Sequence, residues 1–255
     1  PRVRRQRQMC IRDSTIIVAL VLVLVASESF ISIQNMNQLK NKALDTMDTS
    51  SRQNYDDSIK EQVGVVISLL SEINNEYKAG RYSLDEAKKI AADEIRQMRY
   101  GNGGYFWVDQ SDGKNIVLLG NSTEGTNRMN TKDAEGYQMI KEIIRVAVQD
   151  GGGYTDYVFP KEGETEPSPK RSYSEYFKPF DWVVGTGNYT DYIDTAIAQQ
   201  DEEFTSYASS KAISLILCSV CMLIVVAILV ALIAIDITKS LRKIKEQFEV
   251  IAGGN

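Results

Sequence analysis

The residues best able to do chemistry in this chain are aromatic and cationic, and they are concentrated. Residues 100–192 hold nine of the thirteen tyrosines and both tryptophans, and Arg99, Lys170 and Arg171 lie within or just beside that zone. A small pocket walled by Tyr and Trp with one or two cations suits a small carboxylate. The cation supplies charge-assisted hydrogen bonds, while the rings exclude water and fix size. The same aromatics also suit ordinary sheet and core positions, and composition alone does not choose between the two. Other chemistry is excluded by what the 255 residues lack. There is no histidine, so no Ser-His-Asp triad, Cys-His dyad, His-ligated metal or phospho-accepting histidine can be built from this chain alone. A net charge of −5, from 29 Lys and Arg against 34 Asp and Glu, argues against a nucleic-acid partner. Three cysteines are too few for a disulfide scaffold of this length. The glycines at 151–153 are not followed by a phosphate-loop pattern and read as a helix stop. The carboxylates are scattered, so no catalytic constellation, metal site or cofactor is expected.

The elements that must position these residues fall into unlike compartments. Residues 212–235 form an uncharged run of 24, with only Ser214 and Ser219 polar, bounded by Lys211 and Asp236. At 1.5 Å per residue that crosses a bilayer core of about 30 Å. A second apolar run, 16–26, has only 11 residues, too few to span alone. Five arginines before it and small residues after it suit a signal-peptide core. Its unbroken passage into Glu28, Phe30 and Ile33 suits a first membrane helix, within 15–33, that has lost its upstream half. Residues 4–14, RRQRQMCIRDS, resemble a translated sequencing adapter more than natural protein, so 1–14 reads as a leader foreign to the domain. Between the two runs, 27–211 carries 20 basic and 30 acidic residues, whereas Lys239, Arg242, Lys243 and Lys245 crowd just past the second. By the positive-inside rule that end is cytoplasmic and 34–211 lies outside. Cys218 and Cys221 fall within the span and read as packing residues.

Apolar residues at helical spacing predict a long amphipathic helix over 33–77, with an interruption possible at 48–54. Its stripe suits either intramolecular packing or a homodimer seam. Ser83-x-x-Glu86 is a capping box that opens a second helix. Strand-like 105–109, the Asp112-Gly113 turn and 115–119 predict a hairpin. Apolar periodicity predicts a helix over 134–149, followed by strands at 154–159, 170–177 and 181–189 and a helix from 191 into the membrane run. The order predicts an α+β fold, an antiparallel sheet with helices segregated to one side.

Five motifs in order carry a resemblance. They are Arg99-Tyr-Gly-Asn-Gly-Gly-Tyr-Phe-Trp-Val108, Asp133-x-x-Gly136, Gly151-Gly-Gly-Tyr154, Lys170-x-x-Tyr173 and Trp182-Val-Val-Gly-Thr-Gly-Asn-Tyr189. Together they resemble the single Cache domain (sCache_2 type) of bacterial chemoreceptors and sensor kinases, over roughly 50–192. The resemblance implies a PAS-like antiparallel sheet on a long N-terminal helix, outside the membrane, binding small organic acids or similar metabolites. It implies ligand contact for Arg99, Tyr105, Trp107, Tyr157, Lys170 and Tyr173. Tyr105 and Trp107 share a strand face. Lys170 and Tyr173 do not, so either a bulge intervenes or one of them points away. Arg171 shares Tyr173's face and is the rival cation. The family's frequent His-Pro pair after the second strand is replaced by Leu118-Leu119, which removes a polar contact and leaves room for a different ligand. Asp133 and Gly136 fit helix entry better than binding.

Past the membrane, Ile237, Leu241, Ile244, Phe248 and Ile251 make a heptad stripe over 236–255. It resembles the first helix of a HAMP linker, ending at 252–255, with Ser240 where a proline is common. The expected protein is the sensory half of a receptor in a bacterial inner membrane, most simply a methyl-accepting chemotaxis protein. Its expected partners are a small organic acid, a second copy in a homodimer, the lipid membrane, and cytoplasmic signalling proteins reached through an output domain beyond Asn255. A sensor histidine kinase or diguanylate cyclase with the same input is the first rival, and a membrane-anchored adhesin the second.

Overall fold

Helix α1 (Arg2–Lys78) and α2 (Leu84–Gln97) are followed by β1 (Arg99–Tyr100), β2 (Gly104–Gln110), β3 (Asn115–Leu118) and α3 (Met139–Asp150). The chain continues through β4 (Gly153–Pro160), β5 (Pro167–Phe177), β6 (Trp182–Tyr189) and α4 (Asp191–Ala252). The computed structural model describes residues 2–101, 103–161 and 164–252, with side chains for all of these except 2–15, 150, 245 and 248–252. The 253–255 end of the expected linker helix lies outside the described residues. The chain divides into two units, 45–198 and the segments 1–44 with 199–255.

In the first unit the strands run β1-β2-β6-β5-β4, all antiparallel, with β3 paired to β2. The helical stripe Tyr55, Ile59, Val63, Val66, Leu70 and Ile73 is buried. It forms one core with Ala87, Ala91 and Ile95 of α2 and with Phe106, Val108, Val184 and Trp182 of one sheet face. In this half of α1 the stripe therefore serves intramolecular packing. The polar stretch at 48–54 does not interrupt the helix. Arg52 pairs with Asp48 one turn back, at 2.8 Å, and with Asp194 at 2.5 Å, so the polar side chains bond outward. The capping box forms as expected: Glu86 N donates to Ser83 Oγ at 3.3 Å, and Ser83 N to the Glu86 carboxylate at 2.8 Å.

A second core lies on the opposite sheet face, where α3 brings Met139, Ile140, Ile143, Ile144 and Ala147 against Trp107 and Val183. Helices thus cover both faces, not one as expected. Helix α3 starts at Met139 and not near 134. Gly136 sits at φ +87°, outside helical space, and Asp133 Oδ1 accepts from Glu135 N and Tyr137 N in a separate turn.

The second unit consists of the outer parts of α1 and α4. Both helices are long and apolar enough to cross a membrane, and their large apolar side chains, such as Val23, Leu24, Ile224 and Leu232, are exposed. Lys40 pairs with Asp201 at 2.7 Å and donates to Thr205 Oγ1 at 3.1 Å, and the Ser29 and Ser219 hydroxyls approach to 3.5 Å. Cys218 and Cys221 are exposed and unbridged.

Candidate functional site

The α3 face of the sheet is built in rows by strand register. Tyr157, Lys170 and Tyr189 lie opposite one another across β4, β5 and β6. The next row carries Thr155, Ser172 and Gly187, and the row beyond Gly153, Ser174, Gly185 and Trp107. Rows on one face are two residues apart, roughly 7 Å. The middle positions are therefore small and the flanks aromatic, which leaves a depressed floor with ring walls.

Lys170 dominates this space. It is 3 % exposed, and its ammonium lies over Tyr105, Tyr189, Phe159 and Trp107 at 4.7, 5.1, 5.4 and 5.7 Å from the ring centroids. Its Nζ donates to Tyr105 Oη at 3.0 Å. Among the described residues no carboxylate pairs with it. Burial pushes its pKa down from 10.5 to about 8. Cation-π contacts offset part of the cost of burying an ammonium, but a buried charge without a counter-ion is expensive.

A chamber of about 20 Å³ adjoins Lys170, walled by Tyr105, Trp107, Tyr157 and Phe159, with Leu118 at one side and Met139, Ile140 and Ile143 as its roof. Burial also raises the Tyr157 pKa, so its hydroxyl stays neutral. Arg128 reaches the same chamber, but Asp109, fully buried, takes its guanidinium through two hydrogen bonds, 3.0 and 2.5 Å long. On its open side Lys170 also borders a groove of about 1110 Å³ at the foot of the sheet. Tyr55, Tyr100, Leu119, Asn188, Asp191 and Tyr192 contribute to that groove.

The structure brings together Tyr105, Trp107, Tyr157 and Lys170 of the expected set. It separates Arg99, Arg171 and Tyr173 from them. Arg99 is exposed, and its guanidinium donates to Arg96 O and Met98 O at 2.8 and 2.7 Å. β5 runs in regular register without a bulge from 167 to 177, so simple alternation turns Arg171 and Tyr173 to the α1 face. Arg171 there grips both oxygens of Asp56, at 2.6 and 2.8 Å, and Asp156 at 2.6 Å, and stacks on Tyr154. Its hydrogen bond to Asp56 raises its pKa further. The Tyr173 ring packs 5.0 Å from Tyr154. The neighbours that the sequence did not suggest are Arg128, Phe159 and Tyr189. Tyr189 could have been found by alternation along β6, because it shares parity with Gly185 and Gly187. Arg128 stands in a loop, where no period points to the chamber.

Loop and helix contacts hold the rim. Leu119 has φ +57°, an uncommon conformation for a residue with a Cβ. Glu124 Oε1 accepts from Leu118 N and Gly120 N at 2.6 and 2.8 Å on either side of it, and Arg96 Nε pairs with Glu124 at 3.0 Å. On the far side Thr190 N donates to Pro169 O at 3.0 Å, and Lys161 pairs with Asp191 at 2.5 Å. The chamber's lysine thus lies one residue from a bond to the start of α4.

The sheet thus carries a long N-terminal helix on one face and a small aromatic-walled chamber with a buried lysine on the other. Residues 51–203 match Single Cache domain 2, and the chain belongs to that family. It is 29 % identical over 177 residues to methyl-accepting chemotaxis protein McpP of Pseudomonas putida, covering 69 % of this chain and 30 % of that protein. It is 34 % identical over 177 residues to sensor histidine kinase MctS of Rhizobium johnstonii, covering 69 % and 37 %. The chain therefore spans about a third of the length of these relatives. Among solved structures it is similar to a periplasmic sensor domain of a chemotaxis protein, with TM-score 0.52 and 30 % identity over 55 % of this chain and 96 % of that one. A Cache chemosensory domain solved for its carboxylic acid recognition gives TM-score 0.53 and 27 % identity over 55 % and 97 %.

Proposed function

We propose that the chain is the sensory half of a bacterial transmembrane chemoreceptor that takes up a small monocarboxylate beside Lys170. The observation that carries this is the buried ammonium without a counter-ion. Arg128 is balanced by Asp109 and Arg171 by Asp56 and Asp156, which among the described residues leaves one uncompensated positive charge facing the chamber. One anionic group neutralises it, whereas a dianion would leave a buried negative charge unpaired. The carboxylic acid recognition named for the related Cache domain supports this class of ligand.

The chamber has room for about one water, so an acid of two or three carbons enters only if the rim opens. The groove at the foot of the sheet supplies the approach, and Tyr105 exchanges its bond to Lys170 for one to the acid. Opening shifts β5, and through the Thr190–Pro169 bond it shifts the first turn of α4. Differential affinity of the acid for two packings of that turn is the signal. In this reading 15–33 and 212–235 span the inner membrane, 34–211 lies outside it, and 236–255 begins a HAMP linker. The receptor works as a homodimer whose output domain engages cytoplasmic signalling proteins. Calorimetric titration of the full chain in lipid nanodiscs with two- to four-carbon acids tests this. Dissociation constants in the micromolar range for at least one acid are expected, and no binding by any of them overturns the reading.

A second reading, that the output is a kinase, is favoured by the 34 % identity to a sensor histidine kinase. The coding sequence beyond Asn255 decides between the two.

A further inference from the structure

A chamber of about 20 Å³ admits nothing larger than water until part of its wall moves, and the backbone marks which part. Four residues line both the chamber and the groove outside it, namely Tyr105, Leu118, Phe159 and Lys170. Three of them are set within paired strands. Tyr105 lies opposite Arg99, Phe159 opposite Ser168, and Lys170 between Tyr157 and Tyr189. Leu118 is the last residue of β3, which pairs, among the described strands, only with β2. Its own backbone groups are committed to the turn that follows. Its N–H donates to Glu124 Oε1 at 2.6 Å, and its C=O accepts from Asn121 N at 3.0 Å.

That turn is loaded. The bond to Asn121 closes residues 118–121 into a four-residue turn with φ +57° at Leu119 and +74° at Gly120. Positive φ at both central positions is type I′ geometry, which favours Asn or Asp followed by Gly. Gly120 conforms. Leu119 does not, because its Cβ crowds the backbone there and its side chain has no polar atom to compensate. Glu124 holds the shape: its Oε1 accepts from the N–H groups on both sides of Leu119, and its carboxylate pairs with Arg96 of α2. Residues 120–122 are exposed, so the turn faces solvent and has room to swing outward. A strained residue beside a cavity, held by one carboxylate, is a spring with a latch. Such outliers gather at ligand clamps and switch segments.

We propose that the turn at 118–121 is the gate of the chamber. With Glu124 engaged, Leu118 closes the wall. When Glu124 lets go, Leu119 relaxes to negative φ and draws Leu118 out, joining chamber to groove. Glu124 is thus a positioning residue, and Leu119 sets how readily the gate opens. The role rests on the chamber being the ligand site, as read above, but the opening itself needs no ligand.

Water entering the chamber is the first probe. Hydrogen exchange is followed on the full chain in nanodiscs at the Leu118 and Gly120 amides and at the indole N–H of Trp107, which lines the chamber and is 3 % exposed. Trp182→Phe assigns the indole signal. The three protons exchange through one opening. Glu124→Gln, which removes the charged acceptor, speeds all three about tenfold. Leu119→Asn, which suits the left-handed turn, slows all three about fivefold. A latch and a spring give these opposite signs, whereas two merely structural residues would both loosen the fold. An indole N–H unmoved while the two amides speed up detaches the turn from the chamber and overturns the proposal. So do two variants that shift exchange in the same direction. Should Glu124→Gln fail to fold, the sign of Leu119→Asn decides alone. Acetate is the second probe. In stopped-flow tryptophan fluorescence Glu124→Gln raises its association and dissociation rates together and leaves Kd within about threefold. A changed Kd with an unchanged association rate also overturns the gate. If neither acetate nor any other small acid binds, the small-acid reading falls, and the exchange result still decides whether the turn gates the cavity.

Discussion

Lys170 and Arg171 are neighbours on one strand with the same formal charge, and the sheet sends them into opposite settings. On the α1 face Arg171 meets two carboxylates and a tyrosine ring, and its charge is spent on holding β5 to α1 and β4. On the α3 face Lys170 meets four rings and a tyrosine hydroxyl and keeps its charge unanswered. In the proposed reading, a basic residue becomes a receptor for anions by what is withheld from it. Arg128 makes the same point inside the chamber, where Asp109 removes it from competition.

The contrast breaks most visibly at Lys170. Lys170→Met weakens acid binding by about 3 kcal/mol, on the order of 100-fold, and raises the ligand-free melting temperature because a bare buried charge is gone. Calorimetry and tryptophan fluorescence measure the two effects, and both tryptophans lie in the sensor unit. A binding constant unchanged by this variant would remove Lys170 from the site. The next effect is pH dependence. Acid binding needs the charged lysine, whose pKa in the free protein is about 8. Affinity is therefore level below pH 8 and falls towards tenfold per pH unit above it. Stability moves the other way. Between pH 8 and the ordinary lysine value of 10.5 the unfolded chain keeps a proton that the folded one has lost. The ligand-free protein therefore becomes more stable across that window, and calorimetric melts at pH 7 and 9.5 check this.

Smaller effects sharpen the other side. Arg171→Met costs about 1 kcal/mol of stability in urea, since its two ion pairs are partly exposed and screened, and leaves the acid's affinity within about twofold. Tyr55→Phe removes a hydroxyl that Asn188 N donates to and that faces the carbonyls of Arg171 and Asn188. It costs about 1 kcal/mol in the same unfolding assay.

Much of the architecture is legible because period and chemistry agree. The stripe from Tyr55 to Ile73, the Ser83 capping box and the Asp112-Gly113 turn each state their structure locally. Strand alternation puts Lys170 on the opposite face from Arg171 and Tyr173, but the absence of a bulge and the parity that faces the chamber are visible only in the paired register. What stayed hidden depends on contacts distant in sequence. Arg128 reaches the chamber from a loop, and its neutralisation by Asp109 is visible only once β2 and that loop are brought together. Arg99 reads as a pocket cation by its motif, but its position on a two-residue edge strand turns it to the backbone of its own helix end. The late start of α3 was masked by apolar residues that continue the helical period across a left-handed glycine.

The single backbone bond from Thr190 to Pro169 has a consequence for how such domains are reused. Because Pro169, next to Lys170, and the head of α4 are adjacent in space, the reporting step proposed above asks nothing of the residues that follow that first turn. Any output whose activity responds to the posture of one incoming helix can be joined to it. A module wired in this way would be portable between proteins, and sequences similar to this chain do occur in both a chemotaxis protein and a sensor kinase.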